Sequence, residues 1–225
     1  CVSPPGLQIW EFCWHPDGNQ FAVVASDLPW EWSWYSNYLA LLTSEGEHQV
    51  IRQSRRQHAF PTFSPDGQKL AFLSSNWSDR GCTAGNVWMI TPSSQHETPL
   101  SEGITASFSC LDWDRGSHSL LALGHESGGT GIYRLSVQEQ KPISLWWDQA
   151  SVSESFSPRL SRSTNGRLAL VREDSRNPRD VWVGQEKEHQ ITWSQTTTIH
   201  PQANSTPLGE TFVHKWTGSD GLELQ

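Results

Sequence analysis

Basic residues, sulfur and long apolar runs are all scarce in this chain, and each scarcity excludes something. Among 225 residues, sixteen are Lys or Arg against twenty-four Asp or Glu, a formal net charge of −8. A broad phosphate-binding surface needs a basic face, so nucleic acid is not an expected partner. No uninterrupted apolar stretch approaches the ~18–20 residues of a membrane-spanning helix. The longest clean runs, Phe21 to Ala25 and Leu39 to Leu42, have strand length. The four cysteines, Cys1, Cys13, Cys82 and Cys110, show no CxxC or CxxH spacing. A zinc site has no support, and buried thiols are the expectation. No helix-borne His pair at i, i+4 and no HExxH is present, so the nine histidines read as surface or packing residues. There is no phosphate-cradling glycine loop and no dinucleotide fingerprint. No metal and no cofactor is expected.

What is present is aromatic and turn-forming. Thirteen Trp stand beside seventeen Gly and thirteen Pro, and only 18% of residues are charged. That composition excludes disorder and points to an all-β chain. The first residue is Cys rather than Met. Either a mature lipoprotein with its lipid on Cys1 or a piece of something longer would read this way.

Internal repetition then fixes the architecture. Four segments align on a glycine turn between an apolar residue and an apolar run. They are Trp14-His15-Pro16-Asp17-Gly18 before Phe21 to Ala25, and Phe63-Ser64-Pro65-Asp66-Gly67 before Leu70 to Leu73. Trp113-Asp114-Arg115-Gly116 precedes Leu120 to Leu123, and Leu160-Ser161-Arg162-Ser163-Thr164-Asn165-Gly166 precedes Leu168 to Val171. The glycines at 18, 67, 116 and 166 are spaced by 49, 49 and 50 residues. Pro pre-sets φ for a type I turn, Asp suits the next position, and Gly accepts the left-handed conformation that starts the next strand. A further strand is expected at Tyr38 to Leu42, Asn86 to Ile90, Gly131 to Leu135 and Asp180 to Val183. A last strand is expected at Gln49 to Ile51 and Gln190 to Thr192, the latter after a turn over Gln185 to Glu188. Four short antiparallel strands per ~45–50 residues is the pattern of a β-propeller blade, and a sandwich has no reason to repeat at a fixed period. The expected fold is therefore all-β, a β-propeller of four-stranded antiparallel blades, about four to five of them. The expected division is 1–210 for the blades and 211–225 for a segment leaving them.

Phe63-Ser64-Pro65-Asp66-Gly67-Gln68-Lys69-Leu70-Ala71-Phe72 resembles the propeller repeat of TolB-type proteins and of prolyl oligopeptidase-family serine peptidases. Gly124-His125 occurs without the Trp-Asp partner of WD repeats. The segment Phe212 to Leu224, with Trp216-Thr217-Gly218-Ser219-Asp220-Gly221, resembles the exit strand that leads into the α/β-hydrolase domain of those peptidases. Glu31-Trp32-Ser33-Trp34-Tyr35 resembles the acylaminoacyl and dipeptidyl peptidase branch. This resemblance implies an incomplete seven-bladed ring and a Ser-His-Asp hydrolase domain in cis outside these residues. It also implies short peptide substrates, homo-oligomers and a cytoplasmic location, with a periplasmic TolB-type lipoprotein that binds proteins as the alternative. Blades in an open row expose strand edges and faces, so the isolated chain is expected to self-associate or dissolve poorly.

Catalytic residues are not expected within the chain. Gly124-His125-Glu126-Ser127-Gly128 has its Ser one position late for a nucleophile elbow and reads as a loop between strands. Arg52, Arg55 and Arg56 read as a solvated cluster. The one segment with a candidate binding role is Trp30, Glu31, Trp32 and Trp34. As packing, indoles at alternate positions are one face of a strand. As function, the indoles contact apolar side chains of a peptide and Glu31 pairs with its α-amino group. The resemblance implies the latter, since propeller glutamates of dipeptidyl peptidases hold the substrate's amino terminus.

Overall fold

Each of the four turns joins two antiparallel strands; three of these pairs extend into four-stranded sheets and the fourth into a five-stranded one. The computed structural model describes residues 1–76, 78–139, 141–152, 158–205 and 209–224. Blade I comprises β1 (Gln8–Trp14), β2 (Gln20–Ser26), β3 (Tyr38–Thr43) and β4 (His48–Gln53). Blade II comprises β5 (Gln57–Phe63), β6 (Leu70–Ser75), β7 (Asn86–Thr91) and β8 (His96–Pro99). Blade III comprises β9 (Ser107–Trp113), β10 (Ser119–Glu126), β11 (Gly129–Ser136) and β12 (Ile143–Asp148). In all three the strands pair in chain order. Blade IV has β15 (Leu168–Glu173), β16 (Asp180–Lys187) and β17 (Gln190–Gln195), with β13 (Ser151–Val152) and β14 (Ser161–Arg162) both pairing with β15. A hairpin of β18 (Trp216–Thr217) and β19 (Glu223–Leu224) stands apart from the blades.

The turns behave as their chemistry dictates, with one displacement. Gly18, Gly67 and Gly166 adopt φ of 76°, 72° and 84°, and each closes a turn onto the carbonyl three residues before it. In blade III the left-handed residue is Ser117 (φ 60°), whose N–H meets Asp114 O, and not Gly116. The structural positions are thus 18, 67, 117 and 166, and the glycine at 116 is one residue out of register with them. The turn expected over Gln185 to Glu188 is later and tighter. β16 runs to Lys187, and Glu188 and His189 turn with φ of 51° and 62°. Gly124 and His125, read as loop, lie within β10, and only Ser127-Gly128 form the turn.

Side chains of each second strand alternate between a front face, towards the preceding blade, and a back face, towards the next. Front residues Leu70 and Phe72 in blade II, Leu120 and Ala122 in III, and Leu168 and Leu170 in IV are buried. Back residues Ala22 and Val24, Ala71 and Leu73, and Leu121 and Leu123 are likewise buried. Each such Leu or Phe contributes roughly 1.5–3 kcal/mol through burial. Polar ties cross the same seams. Trp113 Nε1 donates to Thr62 O at 3.0 Å, His15 Nε2 to Gly67 O at 3.1 Å, and the Phe60 N–H to Glu11 Oε2 at 2.5 Å. Arg162 pairs with Asp112 at 2.8 Å and Arg134 with Glu186 at 2.5 Å.

Arg52 is no solvated residue. Its guanidinium pairs with Glu97 at 3.0 Å, lies over the Phe72 and Trp88 rings, and touches His58 Nε2 at 2.5 Å. His58 is buried, and burial together with the Arg52 charge pushes its pKa down to about 3. The neutral ring donates Nδ1–H to Asn37 Oδ1 at 3.0 Å, so the pair holds blade II against the β2–β3 loop of blade I. Of the cysteines only Cys110 is buried. Cys13 is half-buried, with burial raising its thiol to about 11, and Cys1 and Cys82 are exposed because they sit at the N-terminus and in the β6–β7 loop. None is disulfide-bonded.

Candidate functional site

The loops β2–β3, β6–β7, β10–β11 and β15–β16 all emerge at one end of the blades, because each joins the same pair of antiparallel strands. The β2–β3 loop carries the segment singled out in the sequence. Residues Glu31–Ser36 form a 3-10 helix and not a strand. Pro29 precedes it, and Ser33 Oγ meets the Leu28 and Trp30 carbonyls at 2.6 Å each. With about three residues per turn, the alternate indoles fan out and no longer share a face.

This separates the four candidates. Trp30 and Trp32 are 54% and 56% exposed, with ring centroids 5.3 Å apart and planes tilted by 35°. Glu31 lies between them and meets Arg80 Nε at 3.0 Å. Trp34 is 1% exposed, donates Nε1 to Ser78 O at 2.9 Å and meets Trp10 edge to face. Trp34 therefore anchors the helix, while Trp30, Glu31 and Trp32 form a surface. Sequence reading missed two partners from the β6–β7 loop. Tyr35 donates its hydroxyl to Asp79 at 2.7 Å, which together with the charges of Asp79 and Glu31 raises the Tyr35 pKa. Arg80 also lies over the Trp10 ring. The available signal was the repeat itself, since Arg80 stands one period, 49 residues, from Glu31.

Chemically, two exposed indoles beside a carboxylate can hold an apolar side chain and a cationic nitrogen. The same end of blades III and IV carries a cavity of about 550 Å³ lined by Asp148, Asp174, Arg176 and Thr211. Segment 209–213 runs across it, with Glu210 paired to Arg176 and Val213 packed on Gly128. A Ser-His contact also occurs, Ser109 Oγ to His125 Nε2 at 2.9 Å. Ser109 is buried on β9, and burial lowers the His125 pKa. Among the described residues no carboxylate is hydrogen-bonded to His125, so the pair lacks the orienting third member of a catalytic triad. Among the described residues no three of His, Cys, Asp and Glu gather as a metal site, and no helix is long and apolar enough to cross a membrane.

The fold is similar to that of several solved structures. Puromycin hydrolase superimposes over 96% of this chain and 32% of its own, with a TM-score of 0.66 and 16% identity. TolB from Acinetobacter baumannii matches over 85% of this chain and 44% of its own, with a TM-score of 0.58 and 20% identity. The fold is a β-propeller. Oligogalacturonate lyase from Vibrio parahaemolyticus matches over 84% of this chain and 54% of its own, with a TM-score of 0.64 and 13% identity. The chain thus spans from about a third to about half of these proteins. No family model and no curated protein matches it.

Proposed function

We propose that this propeller is the non-catalytic portion of a prolyl oligopeptidase-family serine peptidase, gating and helping to bind short peptides for a hydrolase domain in cis. The observation that carries this reading is the sharing of one blade end by the Trp30-Glu31-Trp32 surface and by segment 209–213. A domain continuing from Phe212 to Leu224 would stand over that end and face the indoles. The propeller likeness to a puromycin-hydrolysing protein supports the same assignment. Hydrolysis would use a Ser nucleophile, a His base and an Asp orienter of that domain.

In the proposed mechanism Glu31 accepts the α-amino group of a peptide, exchanging its pairing with Arg80 for the ligand. Trp30 and Trp32 hold the first apolar side chain. The test is a titration of the chain with a free-amino tripeptide and its N-acetylated form, followed by the indole N–H resonances. Trp30 and Trp32 shift with the free peptide and less with the blocked one, and Glu31→Gln removes the difference. An exposed ion pair is worth at most about 1 kcal/mol, so the difference in Kd is about three- to fivefold. Equal responses to both peptides would refute the amino-terminal role. The competing reading is a TolB-type protein-binding propeller, favoured by the match to TolB; it expects no response to either tripeptide.

A further inference from the structure

Blade IV differs from blades I and II at one reactive dipeptide. Blades I and II turn on Asp17-Gly18 and Asp66-Gly67, whereas blade IV turns on Asn165-Gly166, the single Asn followed by Gly in the sequence. The backbone is alike in all three. Gly166 has a φ of 84°, against 76° and 72°, and its N–H donates to Ser163 O at 3.1 Å. The side-chain hydrogen bonds correspond as well, each residue accepting from the backbone two positions on. The Asn19 and Gln68 N–H groups donate to Asp17 and Asp66 Oδ1 at 2.9 and 3.0 Å, and Ser64 Oγ donates to Asp66 Oδ1 at 2.5 Å. In blade IV the Arg167 N–H donates to Asn165 Oδ1 at 3.4 Å, and Ser163 Oγ does so at 2.6 Å. A carboxamide thus occupies a seat that holds a carboxylate elsewhere.

That carboxamide is an electrophile next to an unhindered nitrogen. Asn165 and Gly166 are exposed to water, and a Cβ on Gly166 would find nothing within 4 Å. The two donors to Oδ1 stabilise the negative charge that this oxygen takes up when Cγ is attacked. The corresponding acids are protected. The Asn19 N–H holds the Asp17 carboxyl below the usual range, and the Ser64 hydroxyl does so for Asp66. Both stay ionised at neutral pH, and an ionised carboxylate is a poor electrophile. Other asparagines lack one requirement each: Asn177 precedes Pro178, which has no N–H to give up, and Asn37 is fully buried.

We propose that Asn165 is a self-modification site, which deamidates in the folded protein mainly to aspartate with water as the co-reactant. The Gly166 nitrogen loses its proton to solvent hydroxide and bonds to Cγ. The Cγ–Nδ2 bond breaks, ammonia leaves, and a succinimide ring closes. Water then opens the ring with no change of oxidation state. Addition at Cγ breaks the new Cγ–N bond and gives aspartate. Addition at the Asn165 main-chain carbonyl breaks the original peptide bond and gives isoaspartate. The fold selects between these products. Isoaspartate adds an atom to the main chain of a turn closed by Gly166 N–H on Ser163 O and by Ser163 N–H on Arg167 O at 2.8 Å, beside the Arg162–Leu168 strand pair. Aspartate keeps both bonds and gives blade IV the carboxylate of blades I and II.

Peptide mapping by mass spectrometry after incubation at neutral pH tests this, with one sample folded and one in urea. In the folded sample the peptide containing Asn165 loses ammonia and gains water, and aspartate is the major product. In urea the same site gives mostly isoaspartate, because a free chain opens the ring mainly at the main-chain carbonyl. Asp17 and Asp66 stay unisomerised in the folded sample. Asn165→Asp, the product made directly, melts at or above the wild-type Tm. A folded Asn165 that stays intact overturns the proposal, whatever happens in urea. So does an isoaspartate-rich product in both samples, which would mark a reaction of the unfolded chain, or an Asn165→Asp chain with a lowered Tm.

Discussion

Two glycines with similar positive φ, 76° at Gly18 and 72° at Gly67, differ in what surrounds them. Gly18 and Gly67 both have positive φ, but a Cβ on Gly18 meets nothing within 4 Å, whereas one on Gly67 falls 2.4 Å from His15 Nε2. Alanine at Gly18 therefore costs only the left-handed strain, about 1 kcal/mol. At Gly67 it also displaces His15 from the blade I–II seam, so Gly67→Ala should lower Tm by more in paired thermal melts. His58 supplies a pH dependence. Its folded pKa, about 3, lies below the ordinary histidine value, so the unfolded chain binds the extra proton between them. The stability it confers is complete above pH ~6.5 and is lost as pH falls towards 3, by a few kcal/mol in all. Urea unfolding at pH 7 and pH 4.5 should show a smaller loss in His58→Gln than in wild type, and an equal loss would remove His58 as the cause.

At the scale of elements, the 3-10 helix Glu31–Ser36 divides its tryptophans by task. Trp34→Ala empties a buried site and should cost about 3–5 kcal/mol, while Trp32→Ala should stay within about 0.5 kcal/mol. Chemical denaturation of both variants gives the comparison, and similar costs would contradict the division. This helix is also where the sequence was least legible. Trp30, Trp32 and Trp34 alternate as a strand face would, yet the chain between β2 and β3 has no sheet to join. Pro29 and the Ser33 side chain favour a tight turn there instead. Strand identity was readable because Leu70 to Leu73 and its counterparts follow turns whose chemistry is local. The Arg80 and Asp79 partners were hidden because they come from the neighbouring blade. Arg52 misled for a related reason, since a charge next to Arg55 and Arg56 looks solvated until Glu97 and Phe72 are brought to it.

Across the whole molecule, stability should be distributed by interface, as in other repeat architectures whose units contact only their neighbours. Leu123→Ala, between blades III and IV, removes a fully buried side chain and should cost about 2–5 kcal/mol. Val171→Ala, on the half-buried back of blade IV, should cost under about 1 kcal/mol. The fifty-residue period was visible in the sequence even though the turn of blade III is displaced to Ser117, because the apolar run after each turn keeps its register. The most direct measurement is hydrolysis of an N-acyl aminoacyl ester and an aminoacyl ester by the purified 225-residue chain. The expected result is no turnover above buffer, since in the proposed function the propeller supplies contacts and the domain in cis supplies the nucleophile. Turnover that disappears in Ser109→Ala would contradict this, by making the Ser109–His125 contact a catalytic pair.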